Sequence, residues 1–221
     1  MPFAIVETQA DDLGEMLMAI AASEGSASHR YTHSFELNAD PLATRNLADV
    51  LHLLSILHGA QPGLIELAQA RNVTPAADGW YRQAVAGFAV ERAYLTQLIV
   101  AAGPAPSTPG EAETAAAVLG QRHALETIAA SDRFGCTLGA VSAMLFDWQS
   151  IRAVLDTAAA RIGIDAPEGE MPDDDDTAAL LNQLPPHPRL DRALTFGARQ
   201  LLVQHHGLWD LLETRAKARI G

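Results

Sequence analysis

Four ionisable residues stand where the helical patterns of this chain call for apolar ones. At about 100° of turn per residue, Glu91, Arg152 and His205 each fall inside the apolar face of a long helical segment, and His58 points inward at the end of another. A polar group in such a position is costly unless a partner, a ligand or water satisfies it. Carboxylate, guanidinium and imidazole groups together suit the binding of a small polar molecule and acid–base chemistry. These four residues are the candidate ligand pocket.

Three interpretations of these residues are open at the level of sequence. In the first, Glu91, Arg152 and His205 line a polar pocket in the core. In the second, Glu91 and Arg152 form a buried ion pair and His205 is a hydrogen-bonded core residue, so that all three serve packing specificity alone. In the third, the side chains extend to solvent at the edges of their faces. No specific catalytic or cofactor motif accompanies them, and the cofactor is unknown.

A ferritin-like enzyme with two metal ions is the natural alternative for helices that carry inward carboxylates and histidines. The chain resembles that family in the number and length of its helices only. The metal site of that family needs Glu-x-x-His on two helices, and this pattern does not occur here, since the nearest segments are Asp49–His52 and the reversed His123–Glu126. In the enzyme hypothesis Glu91 is a ligand or base, His205 a ligand or general acid–base, and Arg152 holds an anionic substrate.

The remaining histidines give weaker signals for a metal site. Adjacent helical residues point about 100° apart, so His205 and His206 do not easily bind one metal ion, while His206 and Asp210 are spaced to pair on an exposed face. His29 and His33 are also four residues apart, but they lie in a serine-rich loop where that spacing has no helical meaning. We therefore expect no metal.

The composition excludes several classes of partner. The formal net charge is −12, and an acidic surface repels phosphate backbones, so we expect no nucleic-acid partner. The best apolar run, residues 50–57, is too short to span a bilayer and no helix face is rich in Lys or Arg, so we expect no membrane partner.

The single cysteine, Cys136, excludes an intramolecular disulfide and a thiolate zinc site. The first residues lack the pattern of a signal peptide, and we expect a cytoplasmic protein.

The elements that must position the candidate residues are helices. Ala and Leu dominate the chain and aromatic residues make up 5% of it, which favours helices over strands. Capping residues and apolar periodicity predict long helices at about 40–58, 79–102, 110–130, 132–163 and 188–219, with shorter ones at about 10–22, 62–72 and 177–184. The sole candidate strand is Phe3–Val6.

This pattern predicts an all-α fold, an up-and-down bundle of about five long helices with two or three short helices packed on it. We expect a single domain over residues 1–221, with an acidic, proline-rich loop at about 164–187 before the last helix. The apolar helix faces exceed what one thin bundle needs, so we expect a homodimer. The first functional hypothesis is a non-enzymatic protein that binds a small ligand or a partner protein through the polar pocket.

Overall fold

The computed structural model describes residues 12–219, and all regular structure in that range is helical. The prediction of an all-α fold is confirmed, and the packing of the helices is consistent with a bundle. The candidate strand Phe3–Val6 lies outside the described residues. The helices are α1 (Leu13–Glu24), α2 (Phe35–Asn38), α3 (Ala43–His58), α4 (Leu64–Ala70), α5 (Asp78–Ala102), α6 (Glu111–Ala129), α7 (Cys136–Ile162), α8 (Asp174–Asn182) and α9 (Pro188–Ala218), with 3-10 turns at Ser26–Ser28, Arg30–His33 and Pro75–Ala77.

Helix α7 begins at Cys136, later than the predicted start at about residue 132. Gly135 has a φ of +90°, a conformation that glycine adopts at little cost, and it breaks the chain direction before Cys136. Asp132 instead pairs with Arg71, whose guanidinium lies 2.6 Å from its carboxylate. The turn therefore separates residues 132–135 from α7.

Helix α7 is the central helix of the bundle. Every residue from 138 to 148 is buried, as expected for a helix that is apolar on all sides. Its closest neighbour is α9, because Gly139 and Gly197 leave no side chain between the two backbones: a Cβ on Gly197 would overlap the carbonyl oxygen of Cys136. This close approach lies in the N-terminal part of both helices, before the contact of Asp147 with His205.

Helix α5 is apolar enough to raise the question of a membrane. The segment Pro75–Ala102 is the one stretch within residues 12–219 that is long and apolar enough to cross a bilayer by length and composition. The core helix of a globular protein passes the same test, and Tyr81, Phe88 and Leu98 of α5 are buried against the other helices.

Candidate functional site

A chain of hydrogen bonds between four buried polar side chains runs through the core. His58 Nε2 lies 2.9 Å from His205 Nε2, and His205 Nδ1 lies 2.6 Å from Asp147 Oδ2. The carboxylate of Asp147 also accepts from the backbone N–H and the hydroxyl of Ser26, both at 2.6 Å. These residues come from the end of α3, from α9, from α7 and from the turn after α1. We call this set, Ser26–Asp147–His205–His58, the histidine array.

The turn after α1 fits closely around Asp147. A Cβ on Gly25 would overlap the carboxylate of Asp147, so the backbone reaches Asp147 only because residue 25 has no side chain. Thr32 holds the turn from the other side, since its hydroxyl lies 3.2 Å from the carbonyl oxygen of Ser26. The serine-rich segment around Ser26 is therefore ordered and packs directly against the array.

The hydrogen bonds limit where the protons of the array can lie. Asp147 accepts two hydrogen bonds from Ser26, so its carboxylate also accepts from His205, whose ring proton then lies on Nδ1. If the single ring proton of His205 lies on Nδ1, its Nε2 keeps a lone pair and His58 donates from its own Nε2. In that arrangement the lone pair of His58 is on Nδ1, and no residue in the described range donates to it.

Burial keeps His58 neutral. Desolvation lowers the pKa of His58 well below its ordinary value, and the nearby His205 and Arg92 lower it further. The aromatic rings of Phe88 and Trp148 pack edge-on against the imidazole, with centroids 6.1 and 5.6 Å away. The ring is thus a neutral base held in an apolar setting.

A small cavity borders His58. Its volume is about 20 Å³, enough for about one water molecule. Leu57, Phe88, Leu125 and Met144 provide apolar walls, and its polar lining residues are His58 and the pair Arg122–Glu126 of α6. The exposed Pro62 also lines the cavity, so it reaches the surface between residues 59–63 and α6.

Glu91 and Arg152 form a second, separate network. Arg152 NH1 lies 2.5 Å from Glu91 Oε1, and the indole N–H of Trp148 donates to Glu91 Oε2 over 3.0 Å. Arg152 also donates to Asp156 and to the carbonyl oxygen of Pro167 in the acidic loop. Both oxygens of Glu91 are therefore engaged within the protein.

The four candidate residues thus form two pairs. Glu91 pairs with Arg152 and His58 pairs with His205, as the hydrogen bonds above show. Trp148 lies between the pairs, because its indole N–H binds Glu91 while its ring contacts His58. Of the four residues, His58 is the one that lines the cavity.

Sequence reasoning missed Asp147 and Ser26. Asp147 lies beside the apolar face of α7 and was assigned no role, yet the run from residue 138 to 148 is apolar except for Ser142 and Asp147. A helix that is apolar on all sides is buried on all sides, so the apolar run around Asp147 predicts that its carboxylate lies in the core. No such prediction is possible for Ser26, because a loop has no helical periodicity that indicates which residues are buried.

A further buried ion pair was also missed. Asp49 is 3% exposed and accepts from Arg215 at 3.0 and 3.1 Å and also from Arg219. At about 100° of turn per residue, Asp49 lies on the side of α3 opposite to His58, but α9 covers that side as well. These two arginines hold the C-terminal end of α9 against α3.

The comparison with known families covers nearly the whole described range. A model for a family of unknown function, DUF6975, matches residues 21–220. The chain belongs to this family. The matched range contains all four members of the histidine array, and the family description assigns no activity. No curated protein and no solved structure matches the chain.

Proposed function

We propose that this member of DUF6975 binds a small molecule that offers a hydroxyl or amino group, and that His58 accepts a hydrogen bond from it. The observation that carries the proposal is the free Nδ1 of His58, on a ring that lines a cavity reaching the surface. Its Nε2 is fixed by His205, and burial keeps the ring neutral. Such a nitrogen is an acceptor of defined direction, which is the kind of polar group that orients a ligand in an apolar site.

The size of the cavity limits what enters it. A volume of about 20 Å³ admits one hydroxyl or amino group. The rest of the ligand then lies at the surface opening, beside Arg122 and Glu126. The ligand class is therefore a small alcohol or amine whose apolar carbon next to the polar group contacts Leu57 and Leu125.

Binding is favoured over the metal-dependent enzyme because the other core groups are occupied. Glu91 accepts from Arg152 and Trp148, and His205 uses both ring nitrogens within the array. A metal ligand or a general base needs a free lone pair. Among the four candidate residues, His58 is the one with a ring nitrogen that makes no hydrogen bond in the described range.

Titration with 1-propanol and propylamine, followed through the ring ¹⁵N resonances of His58, tests the proposal. We expect a saturable change at Nδ1 that the exposed His123→Gln leaves intact. Leu125→Phe fills the cavity while keeping His58, and we expect it to abolish the change. An unchanged His58 signal with both probes overturns the proposal, as does equal binding by Leu125→Phe.

A second candidate function is general-base catalysis by His58. The observation that favours it is the orientation of this imidazole by a second histidine, which a buried carboxylate orients in turn, an arrangement typical of activated bases. Hydrolysis of p-nitrophenyl acetate tests this candidate. We expect His58→Gln to lower the rate at least about tenfold relative to His123→Gln; equal rates for the two variants contradict catalysis by His58.

A further inference from the structure

Three potential metal ligands meet next to the histidine array, where the buried His29 lies beside the partly exposed His206 and the exposed Asp210. His29 Nε2 lies 3.2 Å from Asp210 Oδ1, and a ring nitrogen of His206 joins them so that the three ligand atoms all lie within 4.8 Å of one another. The rings of His29 and His206 contact each other with centroids 4.7 Å apart. We propose that His29, His206 and Asp210 bind a divalent transition-metal ion such as Zn²⁺ or Fe²⁺.

The fold creates this group from segments far apart in sequence. His206 and Asp210 are four residues apart on α9 and so share one face of the helix. His29 comes from the N-terminal turn, which Ser26 attaches to Asp147 of α7. The array and the proposed metal site therefore lie on opposite sides of α9 where the N-terminal turn packs against it. His205 faces inward to the array, and its neighbour His206 faces outward to the proposed metal site.

The ligand chemistry sets the class of ion. Two imidazoles and one carboxylate are ligands of Zn²⁺ and of non-haem Fe²⁺, and both ions leave further positions for water. Bond lengths near 2.0–2.1 Å place neighbouring ligand atoms about 3 Å apart. The His29–Asp210 separation already meets this requirement, so His206 makes the main adjustment. His206 is half-buried and the Asp210 side chain is 65% exposed, so both have room to move and the ion has access from solvent.

Binding changes the tautomer of His29, which gives the site a signature. The backbone N–H of Tyr31 donates to His29 Nδ1 over 3.1 Å, so Nε2 carries the ring proton and donates it to Asp210. A neutral ring that binds a metal ion through Nε2 carries its proton on Nδ1 instead. The hydrogen bond from Tyr31 must therefore open when the ion binds. An ion held by His206 and Asp210 alone leaves that bond in place.

Calorimetric titration of the full chain with Zn²⁺ and the visible spectrum with Co²⁺ test the site. We expect one ion per chain, and binding weakened at least about tenfold in His206→Ala and Asp210→Asn. His123→Ala is the matched control, because His123 is exposed and also neighbours a carboxylate, Glu126; we expect it to bind as the wild type does. The intensity of the Co²⁺ bands distinguishes a four-coordinate from a six-coordinate ion.

Amide exchange of Tyr31 completes the experiment without removing the buried His29. We expect the Tyr31 amide to exchange faster when Zn²⁺ is bound, and the change to be absent in His206→Ala. No binding by the wild-type protein overturns the proposal, as does equal binding by His206→Ala. Zn²⁺ binding with unchanged exchange of the Tyr31 amide overturns the role of His29, because the ion is then held by His206 and Asp210 of α9 alone.

Discussion

Nε2 of His58 and Nε2 of His205 lie 2.9 Å apart, at the contact between the end of α3 and the middle of α9. The residues are 147 positions apart in the chain, and both are buried, with exposures of 5% and 0%. Asp147, on the far side of His205, accepts from its Nδ1. The carboxylate of Asp147 is therefore connected to the cavity through two imidazole rings, although it does not line the cavity.

Replacement of His205 tests the energetic role of the array. His205→Ala leaves the Asp147 carboxylate and the His58 N–H without their buried partner, and we expect a loss of about 3 kcal/mol in the free energy of unfolding. Urea denaturation measures this loss. His123→Ala, at an exposed position, should change the stability by less than about 0.5 kcal/mol. Equal stability of the two variants is incompatible with the array as described.

The lowered pKa of His58 predicts a loss of stability in mild acid. The unfolded chain takes up a proton at His58 near its ordinary pKa of about 6.5, whereas the folded chain resists protonation because the ring is buried beside His205 and Arg92. The free energy of unfolding therefore falls as the pH drops below that value, by up to about 1.4 kcal/mol per pH unit. Arg122 and Glu126 of α6 are the charged groups that line the adjoining cavity.

Denaturation of the wild type and of His58→Gln between pH 7 and pH 5 measures this contribution. We expect His58→Gln to lose less stability than the wild type across this range, since it has no proton to take up at that position. His123→Gln keeps His58 and should follow the wild type. Parallel curves for the wild type and His58→Gln would show that His58 is protonated equally in both states.

Two glycine substitutions, one inside the contact between α7 and α9 and one outside it, should have opposite effects on stability. Gly197→Ala forces a methyl group into the backbone of α7, and we expect it to cost about 1–3 kcal/mol. Gly120 lies on the exposed side of α6 with open space at its Cβ position, so Gly120→Ala should stabilise the helix by about 0.5–1 kcal/mol. Thermal unfolding of the two variants shows whether each substitution raises or lowers the stability. Stabilisation by Gly197→Ala would contradict the close packing of α7 and α9.

A double-mutant cycle measures the coupling between Glu91 and Arg152. Glu91→Gln keeps an acceptor for the indole of Trp148 but removes the charge that faces Arg152. Arg152→Met removes the other charge and retains much of the volume. We expect a coupling of about 1–3 kcal/mol in the free energy of unfolding. A coupling near zero would mean that the pair contributes no net stability in this setting.

The homodimer remains a prediction. The argument for it, an excess of apolar helix surface, is weaker in the folded chain. Much of the apolar surplus is used to surround α7, which is buried on all sides between residues 138 and 148. Large apolar side chains do remain exposed, among them Phe134 at 53% and Phe196 at 47%. Light scattering after size exclusion should give twice the mass of the chain, and Phe196→Asp should shift it towards the monomer. A strict monomer at every concentration removes the prediction.

The sequence by itself determined the helices. Local signals fix most boundaries, because apolar periodicity and capping depend on neighbouring residues: α3 ends at His58 before Gly59, and α5 ends at Ala102 before Gly103. The same periodicity identified Glu91, Arg152, His58 and His205 as residues that turn inward, and all are buried or nearly so. Inward direction is a property of a single helix, so one sequence is enough to predict it.

Only the tertiary structure decided which inward residues meet. His205 reaches Asp147 where α9 packs against α7, two helices that approach closely at Gly139 and Gly197. His58 reaches His205 from α3, and Glu91 reaches Arg152 from α5, with Trp148 between the two pairs. These distances depend on the order of the helices in space, which periodicity does not contain. The meeting of His29 with His206 has the same origin: the N-terminal turn reaches α9 through Ser26 and Asp147, across 121 residues of chain.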